Sequence, residues 1–293
     1  MAFFFPKRRF DPRHKPQVGG PQSEIQAAVK ENCQRLGMPV PLIYCPMWDK
    51  SSNRVYNYGS VGSFYSDSTR MTYENSGAKY DGTSASATYS RMTPPKLLNT
   101  EITVGAIHTR HSGSFGSEWT TLLSDRDSDG QANIAYELRF GKNYTSTDHN
   151  IHFAYRVASS WHLWNNVGYS FSLERPYHLA FSFKYGTGSS ILAVLDGNNE
   201  TTGGVWSIGN GNSVPTVGGS YWYINCGFGW EYSNTIHTIH LAYLFDKALP
   251  FWQLQLLYEQ PYALVQPVVR RVYFDLASAP PPSTVRPPLV WVF

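Results

Sequence analysis

The stretch Tyr177 to Asn198, YHLAFSFKYGTGSSILAVLDGN, limits the fold more than any other part of the chain. Tyr177, Leu179, Phe181, Phe183 and Tyr185 alternate with His178, Ala180, Ser182 and Lys184. A period of two marks a strand, and this one reads as having a single buried face. Gly186-Thr187-Gly188-Ser189 supplies turn residues that tolerate positive φ. A second strand, Ile191 to Leu195, is apolar on both faces and is expected to be buried on both. Asp196-Gly197 ends it with a hairpin turn signal. Two strands joined this way are not stable alone, so the remaining chain has to supply a sheet around them.

Composition agrees. The chain has 293 residues, a length that all-β sandwiches reach as one unit. Charged residues make up 15%, against a usual share of about 25%. The 20 Tyr, 16 Phe, 9 Trp and 24 Gly suit pleated sheets and tight turns. The net charge of +3 is unevenly placed: residues 1–20 hold five basic residues against Asp11, a balance of +4, which leaves −1 for the rest. A near-neutral body argues against nucleic acid as the partner. No apolar run reaches the roughly 18 residues of a membrane span, and MAFFFPKRRF lacks the order of a signal peptide. Cys33, Cys45 and Cys226 are far apart and odd in number, without disulfide or zinc spacing. Cys45 and Cys226 become candidate neighbours if the first and last strands pair.

The chain divides into four segments. Residues 1–22 form a basic arm, with Phe3, Phe4, Phe5, Arg8, Arg9 and Phe10 as expected partner contacts. Residues 23–37 read as an amphipathic helix. Ser23 and Gln26 form a capping-box pattern, Ile25, Val29, Cys33 and Leu36 share a stripe, and Gly37 and Pro39 end it. Residues 38–267 carry strand and turn patterns, with residues 49–69 loop-like and a short closing helix over Pro250 to Tyr258. Residues 268–293 are a Pro-rich tail ending in an apolar run that includes Trp291 and Phe293, further expected partner contacts. The expected fold is all-β: an antiparallel two-sheet sandwich with an N-terminal helix, a short C-terminal helix and extended terminal arms.

The body resembles the laminin-G-like, concanavalin A-like jelly-roll domains over about residues 40–265. The blocks that carry the resemblance run in family order: MWDKSSNRVYNYGSVGSFYSDSTRMTYE, AKYDGTSASATYS, ITVGAIHTR, YHLAFSFKYGTGSSILAVLDGN and IHLAYLFDKALPFWQLQLLYEQPYAL. Gly105-Ala106-Ile107 departs from the bulkier aromatics usual there. VQPVVRRVYF is similar to the tail of single-domain versions encoded by tailed bacteriophages. The resemblance implies a jelly roll displayed on a virion, as capsid decoration or a tail component. Its implied partners are other virion proteins, in a symmetric homo-oligomeric assembly.

Several motifs bear on chemistry. Glycosidases that resemble this fold carry Glu-x-Asp-x-(x)-Glu on one strand, which sets two carboxylates at the spacing retention requires. The ten glutamates here are never four or five apart, so the chain is expected not to be an enzyme. Asp125, Asp127 and Asp129 read DxDxDG, the first half of a calcium loop, but the twelfth position is Tyr136. Either a solvated acidic hairpin or a calcium site fits; no other cofactor is expected. The pairs His108/His111, His149/His152 and His237/His240 would point to opposite faces of strands, against a shared metal. Trp161, Trp164, Trp206, Trp222 and Trp230 offer flat rings, and Trp161 and Trp164, in the loop-like SSWHLWNNVG, are the expected glycan contacts. Two functions are therefore expected: a virion structural protein anchored by its arms, or a carbohydrate-binding module for a host-surface glycan.

Overall fold

A computed structural model describes residues 22–47, 55–61, 67–69, 71–74, 77–80, 89–92, 100–111, 119–126, 134–142, 149–215, 221–226 and 236–266. The N-terminal arm, the Pro-rich tail, Asp127 and Asp129 lie outside these residues. Helix α1 spans Gln22–Arg35 and β1 Ile43–Cys45, followed by β2 Asp67–Thr69, β3 Met71–Glu74, β4 Gly77–Tyr80 and β5 Tyr89–Met92. The long strands come next: β6 Glu101–Arg110, β7 Trp119–Arg126, β8 Ile134–Lys142, β9 His149–Val157 and β10 Ser160–Tyr169. The chain continues with β11 Pro176–Lys184, β12 Ser190–Leu195, β13 Asn198–Asn199, β14 Val205–Ile208, β15 Tyr221–Cys226, β16 His237–Phe245 and α2 Phe251–Glu259.

The described strands make two eight-stranded antiparallel sheets. One runs β13-β12-β11-β6-β16-β4-β3, with β1 also paired to β16; the other runs β14-β10-β9-β8-β7-β15-β5-β2. The expected two-sheet sandwich is the fold. Between the sheets lies an aromatic core in which Phe153 stacks on Phe181 at 5.6 Å and Trp164 meets Phe181 edge-on at 5.3 Å. Such ring pairs add to what their buried area contributes.

The central hairpin forms where the sequence places it, but its environment differs. Gly186 and Gly188 take φ of +90° and +74°, and Asp196 and Gly197 take +50° and +75° in the turn joining β12 to β13. On β11, however, His178, Ala180 and Ser182 are as buried as Leu179, Phe181 and Phe183. The expectation of one buried face is corrected, because α1 and α2 pack on the outer side of this sheet. Ile25, Val29 and Cys33 of α1 and Leu254 and Leu257 of α2 join Ile107, Ala180, Val194 and Tyr243 in a second apolar cluster. Strand β12 is also less enclosed than expected, with Ile191 and Leu192 only half-buried.

Hydrogen bonds lock this helical layer. Gly37 has φ +62°, Met38 N–H donates to the Cys33 carbonyl at 2.9 Å and Gly37 N–H to that of Gln34 at 3.3 Å, closing α1 as its sequence predicts. The Gln253 amide donates to the Gly37 carbonyl at 2.8 Å, and that of Asn32 to the Leu264 and Gln266 carbonyls at 3.0 and 2.8 Å. Gly105 is explained here too: a Cβ on it would lie 2.2 Å from the Tyr243 ring, so a larger residue would displace the tyrosine. Strand β1 pairs with β16, placing Cys45 opposite Ala242, while Cys226 lies on β15 of the other sheet. The first and last strands pair without making the two cysteines neighbours.

Strand β10 corrects a second expectation, since SSWHLWNNVG is a strand and not a loop. Its hairpin with β9 turns through Ala158, at φ +51°, and Ser159, with Val157 opposite Ser160. Its core-facing positions hold His162 and Asn166 on either side of Trp164. His162 bonds the Asn210 carbonyl, and the Asn166 amide donates to the Glu200 carbonyl at 2.7 Å. Polar residues thus face inward, and backbone carbonyls from the following segment satisfy them.

Candidate functional site

The outer face of the second sheet differs from that of the first in kind. The register of β8, β9 and β10 puts Glu137, Arg139, Asn150, His152, Ala154, Arg156, Trp161, Leu163, Asn165 and Val167 on that face, opposite the core-facing Leu138, Phe153 and Trp164. Only Ala154, Leu163, Val167 and the Trp161 ring are apolar there. Glu137 and Arg139 form a buried ion pair. Beside them, burial and the Arg139 charge hold His152 well below its ordinary range, so it is neutral at pH 7.

At the β10 end this face opens. Trp161 is half-buried, with the Arg156 guanidinium 5.5 Å from its ring. A cation over an indole is attracted to the ring face and helps to hold the ring in place. Arg156 also donates to the Ser159 carbonyl at 3.4 Å. Next along the strand come Leu163 and Asn165, flanked on β14 by Ile208 and Val205, which are 52% and 59% exposed. The result is a shallow strip with an aromatic ring, a guanidinium and apolar side walls, beside the buried Asn165. It can take a ligand that has both flat apolar faces and hydroxyl groups.

The predicted site residues fare differently. Trp164 is 2% exposed and packs on Phe181, with Gly204 pressed so close that a Cβ there would lie 1.9 Å from the indole. It is a core residue, and its ring is not offered to a ligand. Trp222 is likewise buried, Trp206 packs edge-on against Tyr155, and Trp230 lies outside the described residues. Asp125 is buried on β7, opposite Tyr136 of β8, where burial first and the Asp125 charge second raise that tyrosine's pKa. Glu137 occupies the other face of the same strand pair, so these two carboxylates do not meet. Phe3, Phe4, Phe5, Arg8, Arg9, Phe10, Trp291 and Phe293 lie outside the described residues. Among the described residues no group of three or more His, Cys, Asp or Glu is placed to hold a metal, and no helix is long and apolar enough to cross a membrane. Sequence reasoning missed Arg156, Leu163 and Asn165. Their signal is the alternation through 161, 163, 165 and 167, readable once β10 is known to be a strand.

No protein-family model and no curated protein matches the chain. Solved structures do. Trypanosoma rangeli sialidase in complex with sialic acid is similar with a TM-score of 0.55 at 13% identity, over 82% of this chain and 38% of that one. The binding domain of Botulinum Neurotoxin DC in complex with SialylT gives 0.54 at 8%, over 78% of this chain and 52% of that one. The Botulinum Neurotoxin Type G receptor binding domain gives 0.50 at 9%, over 75% and 51%. The chain spans about two fifths to one half of these proteins, and identities this low concern the fold alone. They nonetheless correct one expectation. The chain was expected not to be an enzyme because one carboxylate pattern is missing, yet sialidases stand among its structural neighbours, so that pattern is no ground for exclusion. Nothing in these likenesses points to a bacteriophage. What they establish is an all-β two-sheet sandwich similar in fold to parts of sialidases and to neurotoxin receptor-binding domains.

Proposed function

We propose that this chain binds carbohydrate, through the strip around Trp161 on the outer face of the second sheet. One observation carries the reading. Of the tryptophans expected to stack on sugar, Trp161 keeps a half-buried ring on the outer sheet face, braced by Arg156 and adjoining Asn165. The likeness to structures in complex with sialic acid and SialylT supports the same reading over the virion one. In this role Trp161 stacks on a sugar ring, while Arg156 takes its hydroxyl or carboxylate oxygens.

The test is a glycan array on the full chain, followed by calorimetry on the best glycan with wild type and Trp161→Ala. Loss of a stacking ring should weaken binding about tenfold or more, a cost of ~1.4 kcal/mol. Undiminished affinity in Trp161→Ala would overturn the assignment of this strip. The virion reading, with its oligomeric capsid or tail partners, rests on the +4 balance and aromatic residues of the first 20 positions. Equal co-sedimentation with particles of the full chain and of a chain starting at Ser23 would remove that support. Calcium at Asp125, Asp127 and Asp129 is tested by calorimetry with calcium chloride.

A further inference from the structure

A pocket of about 200 Å³ opens on the opposite side of the sandwich, where the start of β11 and the β12–β13 turn meet α2. At ~30 Å³ per liquid water this is the room of roughly six or seven waters, enough for one sugar-sized ring and too little for a chain of them. Glu174, Arg175, Asp196, His178 and Tyr258 line it, with Ile107 and Pro176 completing the wall.

Its groups are held in place by the fold. Arg175 donates to Asp196 Oδ2 at 2.5 Å while its guanidinium lies 4.6 Å from the Tyr177 ring. The His178 backbone N–H donates to Asp196 Oδ1 at 2.9 Å. Tyr258 stacks on the His178 ring at 5.9 Å. Glu174 has φ +61°, a conformation costly for glutamate, and its backbone N–H donates to the Arg110 carbonyl at 2.8 Å. Its carboxylate is 66% exposed and lies 2.9 Å from His111 Nδ1.

His178 is the informative residue. It is 1% exposed, its Nε2 lies 2.7 Å from the Tyr243 hydroxyl, and its Nδ1 has no hydrogen-bond partner among the described residues. A buried polar atom left without a partner costs free energy, and natural folds rarely carry one without a use for it. Assigning the Tyr243 hydroxyl as donor to Nε2, the arrangement that uses its proton, puts the ring proton on Nδ1. Burial holds His178 down at about 3, so the ring is neutral. The charges at the pocket are therefore two carboxylates against one guanidinium, with His111 beside Glu174.

We propose that this pocket is a second ligand site, separate from the Trp161 strip, that takes a single neutral hexose ring. The Glu174 and Asp196 carboxylates accept from sugar hydroxyls, Tyr258, Ile107 and Pro176 cover the ring's apolar side, and the buried His178 ring stands behind Tyr258 in the pocket wall. The negative balance disfavours an acidic sugar such as sialic acid. The two sites then differ in ligand class as well as in place.

Saturation-transfer NMR on the full chain tests this with methyl α-mannoside, methyl β-galactoside and methyl α-glucoside as neutral probes and N-acetylneuraminic acid as the acidic one. At least one neutral probe should bind saturably and shift the His178 ring nitrogen resonance. Glu174→Lys alters an exposed side chain and should leave folding intact. It should weaken the neutral probe about tenfold, the size of a lost hydrogen bond to a charged group, and strengthen the acidic one. Trp161→Ala should leave neutral-probe binding unchanged. Three results would overturn the proposal: no neutral probe binding saturably, no effect of Glu174→Lys, or loss of binding in Trp161→Ala. None of these touches the Trp161 reading, which its own variant decides on the array glycan.

Discussion

The two sheets present outer faces of opposite character. On the first, Ala180, Val194, Ile107 and Leu241 point outward and are buried by α1 and α2. On the second, the corresponding outward set is Glu137, Arg139, Asn150, His152 and Asn165, with Trp161 and Arg156 at the open end. An apolar outer face demands a covering layer, because each buried Val, Leu or Ile side chain contributes about 1.5–3 kcal/mol. The polar set is buried as well, at Glu137, Arg139, Asn150, His152 and Asn165, so that face opens at Trp161 and Arg156. The comparison teaches that the first sheet closes its outer face with apolar helices, while the second keeps a polar outer face whose open end carries the proposed glycan strip.

The largest effect should come from acid. His108 and His178, both on the first sheet, are held at about 3 against an ordinary 6.5, chiefly by burial. The folded state thus refuses protons that the unfolded chain accepts, and stability that is complete above pH 6.5 falls as pH drops toward 3. By pH 4.5 the two should together cost roughly 5 kcal/mol, at about 1.4 kcal/mol per pH unit for each. Urea unfolding at pH 7 and pH 4.5 measures it, and equal midpoints would contradict the burial argument. Next, Leu254→Ala on α2 should cost about 3 kcal/mol, as a fully buried leucine does. It should leave glycan affinity unchanged, whereas Trp161→Ala should reverse the pattern, losing about 1.4 kcal/mol of binding with little change in melting temperature. A variant that lowers both quantities equally would erase the distinction between the faces. The smallest effect concerns the hairpin carrying the strip. Ala158 at φ +51° is strained, so Ala158→Gly should stabilise by about 1 kcal/mol, read as a higher urea midpoint at unaltered binding.

How much of this was legible beforehand depends on which signals are local. Gly37 closes α1 and Asp196-Gly197 turns β12 into β13 because positive φ is a property of those residues themselves. Strand β10 escaped because its turn uses Ala158-Ser159 without glycine or asparagine, and because His162 and Asn166 occupy core-facing positions. Only carbonyls from the segment that includes Glu200 and Asn210 make those positions tolerable, and nothing near residue 160 announces them.

The sequence by itself therefore determined the all-β class, both helices, the main hairpin and the choice of tryptophan as the residue type to examine. Tertiary structure alone decided that both faces of the first sheet are buried, that Trp164 belongs to the core and Trp161 to the surface, and that Glu174, Arg175, His178, Asp196 and Tyr258 share one pocket. The physical reason is range. Turns and alternation are set by each residue's own backbone preferences, while burial of a given ring depends on which distant strand or helix arrives to cover it.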